Sequence, residues 1–127
     1  MCKYTLPLLK EQKRGWIINI ASMAGKRAVP SLGAYSVAKF GVTALTQSIA
    51  KENPSAGFRC ITVCPGGMNT EMRAKLFGRK DAERQQSADF VADKILEILD
   101  GKIQVESGGD LVIRHGRITA INPLPEA

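Results

Sequence analysis

The stretch WIINIAS, residues 16–22, decides the fold, because it is a nearly continuous apolar run rich in β-branched residues. Such a run predicts a strand that is buried on both faces, as in a parallel sheet. The stretch FRCITVCPG, residues 58–66, predicts a second buried strand that ends in a Pro-Gly turn. DLVIRH, residues 110–115, predicts a third, short strand, and the tail NPLPEA is expected to fray.

Two amphipathic helices separate the predicted strands. In residues 34–52, the side chains of Val42, Leu45 and Ile49 recur at the spacing of one helical face. Residues 87–99, SADFVADKILEIL, repeat the pattern, with a serine in the position of an N-cap. The apolar faces of both helices are expected to cover the sheet.

The alternation of strands and helices predicts an α/β domain with a doubly wound parallel sheet of about three strands and right-handed crossovers. Residues 4–13 add the end of another helix, which Gly15 stops. Because parallel strands normally pair on both sides, we expect strand 16–22 to be an inner strand whose neighbour is absent from this chain. The 127 residues fit a single domain.

Composition argues against two classes of partner. The net charge is +6, from 18 Lys and Arg against 12 Asp and Glu. The basic residues are scattered among acidic and apolar ones, without the basic stripe of a nucleic-acid module, so we expect no nucleic-acid partner. No apolar stretch reaches the roughly 18 residues of a membrane span, and the opening residues lack a signal-peptide pattern. We therefore expect no membrane association and a cytoplasmic location.

The residues that most often bind metals do not form a metal site here. Cys60 and Cys64 are expected on one face of a strand, too far apart to bridge and without a common zinc spacing. We interpret them as small buried side chains in a reducing compartment. His115, the only histidine, is expected to be a surface or structural residue. Lys26 and Arg27 could contact an anion, although a solvated loop is the favoured interpretation.

The pair Tyr35 and Lys39 raises the question of catalysis, because the two side chains share one helical face one turn apart. A phenol has a pKa of about 10, and a nearby ammonium favours its ionised form, which makes it usable for proton transfer. Ser22 sits at the carboxyl end of the first predicted strand, at the edge where ligands of α/β sheets bind. Each feature alone is commonly structural: a chance surface pair, and a serine that caps a turn.

The three motifs together resemble the short-chain dehydrogenases/reductases. IINIASMAG resembles the active-site strand of that family, AYSVAKFG its catalytic helix, and ITVCPGGMNTEM its Pro-Gly segment. The separation of thirteen residues between Ser22 and Tyr35 matches the usual arrangement. The resemblance implies a partial Rossmann-like fold, in which residues 1–127 supply the carboxyl-terminal, catalytic part.

The resemblance also implies roles for three side chains. Tyr35 would be the general acid/base, Lys39 would support it and bind the nicotinamide ribose, and Ser22 would orient the substrate oxygen. The implied reaction is hydride transfer between NAD or NADP and a small-molecule alcohol, ketone or aldehyde. In such enzymes the helix matching residues 34–52 forms the subunit interface, so the resemblance also implies a homo-oligomer.

A second group of residues would hold the nicotinamide carboxamide. By the resemblance these cofactor-binding residues, beside Tyr35 and Lys39, are Pro65, Gly66, Met68 and Thr70. The charged stretch 71–86 would match the variable substrate lid.

The sequence departs from the family in one respect. The glycine-rich turn T-G-x-x-x-G-x-G, which would cradle the cofactor pyrophosphate, does not occur in the 127 residues. The expectation is therefore the carboxyl-terminal half of such an enzyme, from a truncation, an alternative start or a split gene. The alternative is a catalytically inactive fragment, or an assembly module, with the same fold.

Overall fold

A four-stranded sheet forms the centre of the protein, whose computed structural model describes residues 1–126. The strands are β1 (Trp16–Ile20), β2 (Arg59–Pro65), β3 (Asp110–Arg114) and β4 (Arg117–Asn122). Their spatial order is β1-β2-β3-β4. The first two pairs are parallel and the last is antiparallel. The predicted α/β fold with a partial, Rossmann-like sheet is confirmed.

Five α-helices accompany the sheet in this part of the chain. They are α1 (Cys2–Gln12), α2 (Gly33–Glu52), α3 (Glu71–Phe77), α4 (Arg79–Glu83) and α5 (Ala88–Leu99). The predicted bounds of α2 and α5 agree with the structure to one residue, which is the uncertainty of any helix boundary. None of the helices in residues 1–126 combines the length and apolar character needed to cross a membrane.

The sheet is covered on both faces. On one face, β2 and β3 pack against α5 through the buried side chains of Ile61, Val63, Val91, Ile98, Val105, Leu111 and Ile113. On the other face, α2 and α1 cover a smaller cluster around Ile17, Ile49, Phe58 and Cys60. Burying an aliphatic side chain contributes about 1.5–3 kcal/mol to the free energy of unfolding. The two layers therefore stabilise β2, which lies between them.

The fourth strand was not predicted, and the expectation of three strands is wrong. His115 and Gly116 have positive φ angles of 52° and 67°, as a tight hairpin turn requires, and return the chain as β4. The tail does not fray at Asn122, which ends β4, and the backbone N–H of Leu124 donates to the Glu106 carboxylate. No long apolar run marks β4, because it is an edge strand with alternating, half-exposed side chains.

The prediction that residues 16–22 are buried on both faces is also wrong. In β1 only Ile17 is buried, and Ile20 is 42% exposed. β1 is the first strand of the sheet, and its outer edge has no neighbouring strand within residues 1–126. β1 therefore has the apolar composition of an inner strand, although it is an edge strand in this structure.

The buried face of α2 differs from the predicted face. Leu45 is 47% exposed, whereas Thr43 and Thr46 are buried beside Ile49. The Thr43 hydroxyl donates to the Lys39 carbonyl, and the Thr46 hydroxyl to the Val42 carbonyl, one turn back in each case. This pairing satisfies both hydroxyls, so threonine can face the sheet at these positions.

Candidate active site

The candidate site lies where β1 and β2 end, at one edge of the sheet. Both strands run in the same direction, so their carboxyl ends meet at this edge. Ser22 follows β1 by two residues, and Pro65 is the last residue of β2. Helix α2, which carries Tyr35 and Lys39, packs against the face of the sheet beside them.

Ser22 begins a single turn of 3-10 helix over residues Met23–Gly25. Its Oγ atom accepts a hydrogen bond of 3.1 Å from the backbone N–H of Ala24. The turn is the local reason for the serine, because a short side-chain oxygen satisfies an otherwise unpaired N–H. The hydroxyl hydrogen can still be donated to another acceptor.

Lys39 extends between the helix and the end of β1. Its Nζ atom lies 5.7 Å from the centroid of the Tyr35 ring. The same nitrogen donates a hydrogen bond of 3.0 Å to the carbonyl of Ile20. An ammonium has three donors, so this bond leaves two for other acceptors. Both Tyr35 and Lys39 are half-buried, which keeps their polar ends accessible.

Gly25 allows the turn that starts at Ser22 to approach α2. A Cβ atom at this position would lie 2.7 Å from the Lys39 carbonyl oxygen, closer than two such atoms can approach. Only glycine permits this contact without a shift of the backbone. The sequence S-M-A-G therefore brings the turn against the helical turn that bears Lys39.

The segment Pro65–Thr70 leaves β2 along the end of β3. The backbone N–H of Gly66 donates to the Ile113 carbonyl at 2.7 Å. Met68 forms an isolated parallel bridge with Gln86. Thr70 is the N-cap of α3, and its Oγ1 accepts from the Arg73 N–H at 3.3 Å. The four predicted cofactor-binding residues thus form one continuous segment at the same edge as Ser22.

Residues 71–86, the stretch matched to the substrate lid, contain the two short helices α3 and α4 beside this segment. Arg73 pairs with Asp81 at 2.5 Å and so joins α3 to α4. Arg79 pairs with Glu71 at 3.1 Å on the exposed side. Exposed pairs contribute little, about 0–1 kcal/mol, so the packing of α3 and α4 rests on few strong contacts.

Lys26 has a partner that the sequence did not indicate. Its Nζ lies 2.5 Å from Oδ2 of Asp110, whose side chain is 5% exposed. The other Asp110 oxygen accepts from the Asn122 side chain at 2.8 Å. Lys26 lies in an exposed loop, as the favoured interpretation expects, but its ammonium is paired with a buried carboxylate. Arg27 is also exposed and, in contrast, forms no ion pair within residues 1–126.

Asp110 belongs to a row of polar side chains under α2, here called the polar row. Its members are directly opposed across the four strands, and they are Asn19, Thr62, Asp110 and Asn122. Because a polar residue within a predicted strand gives no sign of its cross-strand partners, only the register could reveal this row.

Cys60 and Cys64 are buried, as predicted, whereas Cys2 is half-buried. Burial raises the pKa of Cys60 to about 11, and the neighbouring Cys2 adds to the shift. Burial also raises the pKa of Cys64 to about 11, helped by Asp110 and opposed by Lys26, Ser22 and Lys39. Both thiols therefore stay protonated at neutral pH and are poor nucleophiles.

Three further observations concern possible sites elsewhere in the molecule. In the described part of the chain, no group of three His, Cys, Asp or Glu residues is placed to hold a metal ion. His115 is exposed in the β3–β4 turn. A shallow depression of about 520 Å³ is bordered by Arg59, Gln104 and Glu106, at the amino end of β2. The residue types suited to proton transfer lie at the opposite end, so we place the candidate site there.

Comparison with known proteins gives the same family as the motifs. A family profile described as short chain dehydrogenase matches residues 1–81. The chain is 33% identical over 130 residues to 2-(R)-hydroxypropyl-CoM dehydrogenase of Xanthobacter autotrophicus. That match covers 94% of this chain and 52% of the relative.

Solved structures agree on the fold. Levodione reductase has a TM-score of 0.79 and 27% identity, over 91% of this chain and 51% of its own. A short-chain dehydrogenase from Shigella flexneri in complex with NADP has a TM-score of 0.75 and 25% identity, over 87% of this chain and 46% of its own. The chain spans about half the length of these relatives. From the profile match, the relatives and the fold, the chain belongs to the short-chain dehydrogenase family.

Proposed function

We propose that the chain is the carboxyl-terminal, catalytic part of an NAD(P)-dependent oxidoreductase that interconverts an alcohol and a ketone or aldehyde. Ser22, Tyr35 and Lys39 would form its catalytic site. Family membership supports the reaction class. The geometry at the carboxyl ends of β1 and β2 supports the assignment of the residues.

The observation that carries the proposal is the position of Lys39. Its ammonium lies beside the Tyr35 ring and is fixed by the Ile20 carbonyl at the end of β1. In the proposed reaction, a positive charge on this side of Tyr35 would stabilise negative charge that develops in the transition state of proton transfer. The same ammonium therefore connects the helix that bears Tyr35 to the carboxyl end of β1.

Tyr35 would hold and move the proton, while Ser22 would orient the substrate. A phenol at this position can donate its proton to a carbonyl oxygen, or accept one from an alcohol. The Ser22 hydroxyl, with its oxygen held by the Ala24 N–H, can donate to the same substrate oxygen. The turn at Gly25 would keep this hydroxyl at a constant distance from α2.

The residues present fit the nicotinamide end of a dinucleotide. Lys39 has two donors left for ribose hydroxyls, and the segment Pro65–Thr70 offers backbone groups and the Thr70 hydroxyl to a carboxamide. When bound, the cofactor would supply or accept the hydride. The NADP complex of the Shigella flexneri relative supports a nicotinamide cofactor. The pyrophosphate would need donors from outside these 127 residues, because none of them form the glycine-rich turn.

Saturation-transfer NMR with NAD and with NADP tests the proposal on the isolated chain, since it detects weak binding. We expect saturation to reach the nicotinamide protons and not the adenine protons. The signal should disappear in Lys39→Met and persist in Lys51→Met, the matched change at the exposed end of α2. Saturation centred on the adenine, or an unchanged signal in Lys39→Met, would overturn the assignment.

The second candidate is an inactive assembly module with the same fold. The open edge of β1 and the exposed face of α2 favour it, because both are suited to pairing with another polypeptide. It predicts a partner-bound protein without nicotinamide binding. The NMR experiment therefore separates the two candidates.

A further inference from the structure

Gln86 is a buried polar residue at the end of residues 71–86, the segment that the resemblance matches to a substrate lid and that is here called the lid. Glutamine is mostly exposed in proteins, yet only 9% of Gln86 is accessible. It directly precedes Ser87, the N-cap of α5, and so joins the end of the lid to a rigid helix. A buried carboxamide is stable only when its donors and its acceptor are paired.

The Gln86 side chain is paired at both ends. Its Nε2 donates to the Ile113 carbonyl at 3.1 Å, and its Oε1 accepts from the Gly116 N–H at 3.1 Å. The Ile113 carbonyl also accepts the N–H of Gly66 at 2.7 Å. One carbonyl at the end of β3 thus holds both Gln86 and the first glycine of the Pro65–Thr70 segment.

The backbone of Gln86 contacts the same segment again. Its carbonyl accepts the Asn69 N–H at 2.8 Å, next to the parallel bridge with Met68. Gly67 lies so close that a Cβ atom there would be 2.2 Å from Oε1 of Gln85. Residues 66 to 69 are therefore bordered by Gln86 and its neighbour on one side and by the end of β3 at Gly66.

From these contacts we propose that Gln86 is a positioning residue for the segment Pro65–Thr70. Its side chain fixes that segment, the lid and the β3–β4 turn in a single arrangement. The consequence for the nicotinamide carboxamide rests on the proposed function. A glutamine suits the position because a carboxamide donates and accepts at once. Glutamate can only accept when ionised, and methionine has the length without the hydrogen bonds.

Amide exchange measured by NMR tests the arrangement directly. In Gln86→Glu at neutral pH, we expect the protection factors of Gly66 and Asn69 to fall about tenfold, the effect of losing roughly one hydrogen bond, while Gly116 keeps its acceptor. Gln86→Met removes both side-chain hydrogen bonds, so it should lower the protection of Gly116 as well, without a buried charge. Acidification should restore protection in Gln86→Glu, because the protonated acid donates again. Gln104→Glu, an exposed glutamine at the other end of β2, is the control.

The result separates positioning from general stability. Protection of Ile61 and Val63 in the middle of β2 should not change in either Gln86 variant. An equal loss throughout β2, or no loss at Asn69, would overturn the proposal. Nicotinamide saturation transfer should fall in both variants in parallel with the protection of Asn69. If the wild-type chain shows no saturation transfer, the proposed function fails, while the protection factors still decide the role of Gln86.

Discussion

At the residue scale, the polar row under α2 differs from an apolar core in that each member needs a partner. Asn19 donates to the Thr46 hydroxyl at 2.9 Å, and Asp110 is held by Lys26 and Asn122. Thr62 is the exception, because its Oγ1 is buried without a hydrogen-bond partner among residues 1–126. An unpaired buried hydroxyl costs about 1–3 kcal/mol.

The two buried threonines should therefore respond in opposite ways to the same change. Thr62→Val removes an unpaired hydroxyl with little change in shape, so we expect the free energy of unfolding to stay constant or rise by about 1 kcal/mol. Thr46→Val leaves the Asn19 amide with only the weak Cys60 sulfur acceptor, 3.9 Å away, and should cost about 1–3 kcal/mol. Urea unfolding measures both. A clear loss of stability in Thr62→Val would mean that the hydroxyl has a partner, such as a bound water.

The buried cysteines predict a dependence of stability on alkaline pH. Their pKa values are about 11 in the folded chain, against 9.0 for an unperturbed thiol. Between these values the unfolded chain loses the thiol protons, whereas the folded chain keeps them. The contribution of the two thiols to the free energy of unfolding should therefore be fully present below pH 9 and be lost as the pH rises towards 11.

The difference between wild type and Cys60→Ala/Cys64→Ala isolates this effect, because lysines and tyrosines titrate in both proteins. We expect the double variant to be less stable at pH 8 and to lose less stability on going to about pH 11. Urea unfolding across this range is the measurement. Parallel curves for the two proteins would show that the thiols do not titrate as their burial implies.

At the scale of elements, contact between the Ser22 turn and α2 depends on Gly25. Gly25→Ala would drive a methyl group into the Lys39 carbonyl, so the turn must move away from the helix. Gly41 lies in α2, two residues after Lys39, and a Cβ atom there would have no neighbour within 4 Å. We expect Gly25→Ala to cost about 1–3 kcal/mol as an overpacked site, and Gly41→Ala to gain up to about 1 kcal/mol from helix propensity.

Thermal unfolding together with NMR shifts of Ser22 and Lys39 checks this pair of variants. Shifts should change at both residues in Gly25→Ala and at neither in Gly41→Ala. An unperturbed, equally stable Gly25→Ala protein would show that the turn and the helix are not in contact.

The sequence predicts an element well when the burial of that element produces a clear local pattern of apolar and polar residues. Strands β2 and β3 are continuous apolar runs because both faces are covered, and their prediction is confirmed. β4 alternates at an edge, and its apolar signal is too weak to separate from a loop. Leu45 was assigned to the buried face because apolar spacing cannot show that paired threonines face the sheet.

Some residues of the candidate site can be predicted from the sequence, and others cannot. Ser22, Tyr35, Lys39 and the Pro65–Thr70 segment stand out as motifs with fixed spacing, and the structure places them at one edge of the sheet; their roles remain a prediction. Gln86 and its partner Ile113 are separated by 27 positions in the sequence. Lys26 and Asp110 are separated by 84 positions. Contacts over such separations leave no periodic trace, so only the fold reveals them.

At the scale of the whole molecule, two features of the described chain lack a covering layer: the edge of β1 and apolar side chains on α2. The outer edge of β1 has unpaired backbone groups, with Ile20 exposed at its end. On α2, the side chains of Val37, Phe40 and Leu45 are also exposed. Open sheet edges and exposed apolar groups promote association with another chain.

We therefore expect the isolated chain to self-associate at micromolar concentration, through the β1 edge or the exposed face of α2. Phe40→Glu should shift sedimentation towards the monomer, because a charge would be buried in the contact. Leu96→Glu, an equally drastic change at an exposed leucine on α5, should leave association unchanged. A stable monomer at high micromolar concentration would show that these two features are covered in some other way.

The most direct test of the central claim is turnover by a protein that contains this chain in active form, followed by the absorbance of the reduced nicotinamide. Tyr35→Phe deletes only the hydroxyl that would move the proton, so we expect the fold to remain and nearly all turnover to disappear. Tyr4→Phe makes the same change at the other tyrosine, which is 76% exposed on α1, and should retain full activity. Wild-type turnover in Tyr35→Phe would contradict the assignment of Ser22, Tyr35 and Lys39 as the catalytic site.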